Sequence, residues 1–555
     1  MRLIERRVGL VFAIFLAGLV LAGTKALWLG VVRASSLREA AATQHEQALT
    51  IPAERGSITD RHGVALAVSQ PAMSVAATPY LIRDPLAVAK RIAPVLQRPD
   101  EEVLKDLTRK DTGFVYLARK LPLDRAQPLQ DMRIEGLDFI DDASRVYPRR
   151  FVASQLLGFT GTDNTGLSGL ELQHDRDLRG RDGRRLLVKD ALGDPIKLDE
   201  ERPPRDGADV QLTIDDRIQE KTEEILAEVG AKWRPAKGAT AIVMNPDNGE
   251  LLAVANWPRV DANDPASAPD WAKQNRAVQV SYEPGSTFKA ITMAGALSDR
   301  KVTPDTVFQL PATIQVADRE IRESHEGESY GTLTAEGIMQ KSSNVGTILI
   351  GQRLGADRFD YWVRRFGFGE PTGVDLPGEE AGIVLDRENY SGSSMGNLPI
   401  GQGEAVTPMQ MVTAYAAIAN GGVLRPPRIV KAIGDEPTKV PPGRRVISET
   451  TSAQLRDMLE GVLGPGGTAS GAAIEHYNLA GKTGTAEKPD PVYGGYSKTK
   501  FVASFVGFAP ADDPKLLTLV MVDEPQGDIY GGSVAAPAWR DITSFALNYL
   551  RIPPS

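Results

Sequence analysis

The chain has 555 residues, 42% of them hydrophobic, with a formal net charge of −8 and no cysteine. That length exceeds one compact core and asks for two or more domains. The acidic balance argues against a nucleic-acid binder, and the absence of cysteine excludes disulfides, cysteine-ligated zinc and a thiolate nucleophile.

In chain order, Arg2, Arg6 and Arg7 precede an uncharged run over 8–23, and after Lys25 the apolar character continues to Val32. A bilayer needs about 20 apolar residues. Residues 8–32 meet this if Lys25 snorkels or faces a partner helix. The basic start puts the N-terminus in the cytoplasm and the rest outside. A cleaved signal peptide is the competing reading, but no clean A-x-A site follows the run. Arg6-Arg7 also fits a twin-arginine signal, although such pairs are common by chance.

Residues 33–49 predict a helix leaving the membrane, on their Ala, Leu, Glu and Gln content. A segment punctuated by Gly56 and Gly63 leads into the strand-like VALAV, and 86–107 predicts helix. A strand from Val210 turns into an amphipathic helix near Asp215, and RPAKG over 234–238 marks a boundary. ATAIVMNPDNGELLAVAN then reads as strand, tight turn over 246–249, and strand. Helical patterns dominate from Thr287 to about Gly367. FVASFVGFAP and LLTLVMVDEP are two late strands, followed by a helix over 536–550. Strands at both ends of a helical region predict an α/β domain with a mostly antiparallel sheet.

Ser-x-x-Lys occurs three times, as Ser286/Lys289, Ser298/Lys301 and Ser497/Lys500. Only Ser286 follows a Pro-Gly pair and opens a buried-looking helix. Helix starts carry unpaired N–H groups and favour negative charge, and residues three apart share a face. Lys289 is therefore within reach of the Ser286 hydroxyl and, once desolvated, can act as its base. An N-capping serine is the plain alternative. Two further motifs argue against it: Ser342-Ser343-Asn344, the only S-x-N, and Lys482-Thr483-Gly484, the only K-T-G. In that order the three are the signature of serine acyl-transferases that react with penicillin.

The physical roles follow. A serine needs a base, and Lys289 is the candidate. Ser342 can relay a proton to a leaving amine, and Asn344 can orient Lys289 and a substrate amide. Lys482 offers charge to a terminal carboxylate. KTGTAE reads as an exposed edge strand beside which an extended peptide adds, with Gly484 permitting close approach and Thr483 and Thr485 offering hydroxyls. Backbone N–H groups of Ser286 and Thr485 would meet the oxyanion. Gly392-Ser393-Ser394-Met395-Gly396 matches G-x-S-x-G, with Asp435 and His476 in triad order, but its surroundings are not an apolar strand running into a helix. The five histidines, His45, His62, His174, His325 and His476, show no ligand spacing and are expected at the surface.

With these motifs in place, the chain resembles the class B penicillin-binding proteins over nearly its whole length. RGSITDRHG at 55–63, RVYPRR and GLSGLE at 166–171 resemble motifs of the family's non-catalytic pedestal. YEPGSTFK, QKSSNVG and AGKTGTAE match its transpeptidase domain, and IGQGEAVTPMQM the segment between the second and third catalytic motifs. Glu404 stands in that segment where an apolar residue is expected. Motif details and the short C-terminal extension lean toward the division-type enzymes, with elongation and sporulation types close behind.

The resemblance implies a multi-domain α/β architecture. Its parts are a cytoplasmic segment and membrane anchor over 1–33, an elongated α+β pedestal over 34–233, and a serine β-lactamase-like transpeptidase domain over 234–555. It implies D,D-transpeptidation of stem peptides ending in D-Ala-D-Ala, β-lactams as covalent inhibitors, and no metal or organic cofactor. Implied partners are an FtsW-like glycan polymerase and other divisome membrane proteins. A carboxypeptidase or β-lactamase, in which water replaces the amine, is a second reading, and a non-catalytic scaffold or β-lactam sensor a third. The roughly seven residues before the apolar run are too short for a signalling region.

Overall fold

The computed structural model describes residues 2–32, 46–189, 195–324, 328–492 and 494–555. The N-terminal helix Arg2–Leu27 continues through Trp28–Val32, and Arg7–Val31 within it has a mean hydropathy of 2.2 and no buried residue. It is long and apolar enough to cross a membrane.

Of the helix expected over 33–49, residues 33–45 lie outside the described residues. Residues 46–49 belong instead to the strand Glu46–Ile51, paired antiparallel with Gly183–Lys189. Long-range backbone pairing there overrides a local helix preference that is worth only tenths of a kcal/mol per residue.

A mixed sheet forms the first globular part. Its order is Glu436–Pro437, Val430–Ile433, Val210–Leu212, Ile58–Thr59, Ala65–Ala77 and Val115–Pro122, with Leu137–Val146 also on Ala65–Ala77. Two of those strands come from far along the chain, so the sheet stitches the two halves together. The helical stretch expected over 86–107 is two helices, Pro85–Leu96 and Asp100–Leu107. Gln97 caps the first in the left-handed conformation and Pro99 starts the second, which accounts for the break. They close a separate small core around Ile92, Val103, Leu117 and Leu129.

The motifs at 55–63 and 166–171 meet in one buried ion cluster. Arg55 Nε lies 2.6 Å from Glu171 Oε2, Arg145 Nε lies 2.7 Å from Glu171 Oε1, and Arg55 Nη1 lies 2.7 Å from Asp175 Oδ1. Removing Glu171 would strand the buried Arg145 and leave Arg55 with Asp175 alone.

The second part is a five-stranded antiparallel sheet in the order Leu251–Trp257, Gly238–Met244, Leu516–Asp523, Tyr496–Ala509, Ala480–Pro489. Helices Asp216–Trp233 and Ala536–Tyr549 cover one face, and Pro408–Ala419 and Glu449–Leu463 the other. Gly238–Met244 and Leu516–Asp523 are buried throughout, which explains their predominantly apolar sequence. The region from Thr287 to Gly367 is less helical than its pattern suggests. Two hairpins interrupt it, Val307–Leu310 with Gly331–Thr334 and Thr313–Val316 with Arg319–Arg322.

One histidine departs from expectation. His174 is only 6% exposed, because it is clamped between the two parts of the molecule. His45 and His325 lie outside the described residues.

Candidate active site

Pro284-Gly285 brings the chain into a 3-10 turn, Gly285–Phe288, that runs directly into the helix Lys289–Ser298. Gly285 has φ +55, and a Cβ there would lie 2.9 Å from the Thr485 carbonyl oxygen. Glycine is thus what lets this turn lie against the edge strand. The turn presents Ser286 half-buried on the wall of a cleft of about 850 Å³. The rest of the helix is sunk in the core, with Phe288 against Phe359 and Phe368.

Lys289 is fully buried beneath that cleft. Its Nζ donates to Ser342 O at 2.5 Å and Asn344 Oδ1 at 2.7 Å, and lies 3.3 Å from Ser342 Oγ. Among the described residues no hydrogen bond joins it to Ser286. The ammonium turns toward these strong acceptors, and the direct Ser286–Lys289 bond that the three-residue spacing suggests is not made. Burial pulls the Lys289 ammonium down to about 7, against the opposing charge of Glu323.

Ser342 and Ser343 form the joint between helices Ala335–Lys341 and Asn344–Leu354. Ser342 caps the first with φ 56, a left-handed backbone that is uncommon for serine. Ser343 caps the second, accepting from the Gly346 N–H at 2.9 Å. The abrupt change of direction puts Ser342 and Asn344 on the cleft wall together.

Glu323, which no spacing in the sequence marked, holds the joint. Its carboxylate accepts from Ser343 Oγ at 2.6 Å and from the Asn344 N–H at 2.7 Å. Arg322 O accepts from Asn344 Nδ2 at 3.0 Å, which leaves Asn344 Oδ1 aimed at Lys289.

The strand Ala480–Pro489 carries the third motif and is an edge of its sheet, paired among the described residues only with Tyr496–Ala509. Lys482 is fully buried, and its Nζ donates to Ser342 Oγ at 2.8 Å. Burial, reinforced by the charge of Lys289, holds Lys482 well below the ordinary lysine range. Thr483 and Thr485 line the cleft, Thr483 sharing a hydrogen bond with Thr468 at 2.9 Å and Thr485 Oγ1 accepting from the Gly531 N–H at 3.1 Å. Gly484 does not line it. A Cβ there would lie 2.3 Å from Ser504 Oγ and 3.0 Å from Pro284 O, so the glycine serves the fit between the strand and the nucleophile turn.

The three motifs therefore converge, while the competing patterns do not. Ser298 sits at a helix end with its hydroxyl buried and, among the described residues, unpartnered, and Ser497 Oγ accepts from the N–H groups of Thr499 and Lys500. Ser394 accepts from the Ser391 N–H, and the exposed His476 pairs with its neighbour Glu475.

Residues 239–544 match the penicillin binding protein transpeptidase domain, and 50–212 the penicillin-binding protein dimerisation domain. The chain is 38% identical over 515 residues to Stage V sporulation protein D of Bacillus subtilis, covering 90% of this chain and 79% of that protein. It is 32% identical over 534 residues to peptidoglycan D,D-transpeptidase FtsI of Escherichia coli, covering 95% and 89%. The crystal structure of penicillin binding protein 3 from Mycobacterium tuberculosis complexed with aztreonam superposes with a TM-score of 0.72 at 30% identity, covering 91% of this chain and 98% of that one.

Proposed function

The chain belongs to the class B penicillin-binding proteins, which makes it a peptidoglycan D,D-transpeptidase, and we propose that Ser286 is its acylated nucleophile. The observation that carries this is the hydrogen-bonded series Lys289–Ser342–Lys482 lying under the wall from which Ser286 faces the cleft.

In this reading a donor stem peptide lies along the edge strand, its terminal carboxylate near Lys482, Thr483 and Thr485. Neutral Lys289 takes the Ser286 proton. Ser286 Oγ attacks the carbonyl carbon of the penultimate D-Ala, and the N–H groups of Ser286 and Thr485 stabilise the oxyanion. The C–N bond then breaks. The proton held by Lys289 passes through Ser342 to the departing D-Ala nitrogen. An acceptor amine attacks the resulting ester and its proton returns to Ser286 Oγ, completing the cross-link. Asn344 holds Lys289 in place and orients the donor amide, and Gly484 keeps the strand close to the nucleophile turn. β-Lactams enter the same path and stop at the ester.

The N-terminal helix is read as a single-pass anchor in the inner membrane, with 34–233 a pedestal and 234–555 the catalytic domain outside. Motif resemblance supports cross-linking at the division septum, with an FtsW-like glycan polymerase and other divisome proteins as partners. A sporulation role is the runner-up, favoured by the 38% identity to Stage V sporulation protein D.

A reporter-labelled penicillin, followed by digestion and peptide mapping of the full chain, tests the nucleophile. An adduct on Ser286, lost in Ser286→Ala and kept in Ser497→Ala, supports it; a folded protein without that adduct overturns it. Depletion in living cells tests the role. Long undivided cells support septal synthesis, and normal division overturns it.

A further inference from the structure

The segment that backs the nucleophile turn carries the residue whose sequence stood out. Residues 401–406 lie between two neighbours. Tyr282 and Val406 exchange both backbone hydrogen bonds at 2.9 Å, and Ile383 and Ala405 exchange theirs at 2.7 and 2.8 Å. At the head of the segment the Gly285 N–H donates to Gly401 O at 2.9 Å, and a Cβ on Gly401 would lie 2.2 Å from Gly285 O. Ile400 and Gln402 line the cleft beside Gly285 and Ser286. Any displacement of this segment is therefore felt at Ser286.

Glu404 sits in the middle of it, 3% exposed, and its Oε1 is buried without a hydrogen-bond partner. The charged and titratable groups around it offer no counter-ion. Glu283, on the strand-like run into the nucleophile turn, is a second carboxyl with a buried, unpartnered oxygen, Oε2. Tyr390 faces Glu404 from the segment after Arg387–Asn389. Beyond Glu283 stand Tyr496, whose hydroxyl donates to Glu283 Oε1 at 3.2 Å, and Glu487. Beyond Tyr390 are Asp360, Arg364 and Arg387. Both arginines are engaged elsewhere, Arg364 with Asp360 and Asp386 and Arg387 with Asp357. Among the described residues no cation pairs with Glu404. A charge in that place is costly, so the neutral carboxyl is the form that fits. Burial, then the charge of Glu283, holds Glu404 well above the ordinary carboxylate range, and Glu283 itself is pushed up to about 7, chiefly by burial.

We propose that Glu404 is a positioning residue for the nucleophile turn and acts through its own protonation. With a neutral carboxyl, residues 401–406 close against Tyr282 and Gly285. With a carboxylate they loosen, and acylation of Ser286 slows as pH rises. This inference rests on the reading of Ser286 as the nucleophile. It gives the enzyme an alkaline sensitivity that an apolar residue at 404 would not.

The experiment is the acylation rate constant of the full chain with a reporter penicillin, from about pH 5 to about pH 9, for wild type, Glu404→Gln and Glu404→Leu. Lys289 and Lys482 titrate alike in all three, so the ratio of variant to wild type reports Glu404 together with the Glu283 carboxyl coupled to it. The expected ratio rises at least about tenfold across that range, the effect of a single pKa unit. Thermal midpoints form the second readout. A carboxyl that stays protonated when folded but ionises near pH 4.3 when unfolded makes the folded protein lose stability as pH rises above that value. Both variants lack this slope, so their midpoints gain on wild type with increasing pH.

A flat ratio with parallel midpoints overturns the proposal while leaving Ser286 in place, provided the adduct still maps to Ser286. Variants that lose stability relative to wild type as pH rises overturn it too, because Glu404 would then be favoured as a carboxylate in the folded protein. Absence of the Ser286 adduct in wild type removes the underlying reading instead.

Discussion

Lys482 Nζ donates to Ser342 Oγ at 2.8 Å, and Lys289 Nζ stands 3.3 Å from the same oxygen. An oxygen that accepts from two buried amines has its own proton left to give, and the cleft is the direction still open to it. Ser342→Ala removes that proton and leaves the two amines facing each other across a void. We expect turnover of stem-peptide donors to fall about 10²- to 10⁴-fold, the usual worth of a positioned proton donor. Slow labelling of Ser286 by penicillin should persist, because the β-lactam nitrogen remains tethered after ring opening. Steady-state D-Ala release and penicillin labelling, compared on one preparation, check this. Equal loss in both would assign Ser342 to the attack rather than to the leaving group.

Lys289 gives the acylation rate its rising limb. Burial holds it at about 7, so the neutral amine, the form able to take the Ser286 proton, predominates above that pH. The rate should climb through about pH 7 and then level, before any loss through Glu404. Lys289→Arg preserves the charge but stays protonated at every accessible pH, so the rising limb should vanish and the rate fall at least about 10²-fold. A stopped-flow pH profile decides, and an Arg variant retaining the limb would rule Lys289 out as the base.

How much of this was legible before folding depends on how local the signal is. Ser286 with Lys289, Ser342 with Asn344, and Lys482 with Thr483 and Thr485 are each carried by a contiguous motif, so sequence marks them. Their mutual bonding is not local. Lys289 spends its hydrogen bonds on Ser342 and Asn344, more than fifty residues away, and not on its neighbour Ser286. The strand Glu46–Ile51 is invisible because its partner, Gly183–Lys189, is distant, whereas the helix break at Gln97 is marked in the sequence by Pro99 and the polar residues around it. The apolar strands Gly238–Met244 and Leu516–Asp523 were readable because burial on both faces writes itself into composition.

Glu323 is the case where sequence offered nothing and the fold supplies a role. It comes from the end of a short hairpin strand and accepts from Ser343 Oγ and the Asn344 N–H. Glu323→Ala leaves both donors unpaired and frees Asn344 from its alignment with Lys289. A cost of about 1–3 kcal/mol in stability follows from the lost charge-assisted bonds. An acylation deficit of about 10- to 100-fold follows from the misplaced amide. Glu323→Gln keeps one acceptor and should recover part of both. Denaturant unfolding alongside penicillin kinetics tests it, and a variant that loses stability without losing rate would confine Glu323 to a structural role.

His174 joins the pedestal to the catalytic half. Its Nε2 lies 2.9 Å from Asp375 Oδ2, its Nδ1 lies 3.7 Å from Asp177 Oδ2, and Gln173 Nε2 donates to Asp375 Oδ1 at 2.7 Å. Burial acts to lower the His174 imidazolium, but Asp375 and then Asp177 outweigh it and leave it raised. Asp375 is correspondingly held below the usual carboxylate range, first by its bond to His174. A raised histidine contributes stability that is fully present below its unfolded value of about 6.5 and is lost as pH rises through the folded value. His174→Gln should therefore cost about 1–3 kcal/mol at about pH 6 and distinctly less at about pH 8.5, with Asp375→Asn behaving the same way. Thermal midpoints of the three proteins across that range measure it. A deficit that does not change with pH would mean that His174 is neutral in the folded protein and holds the two halves together by packing alone.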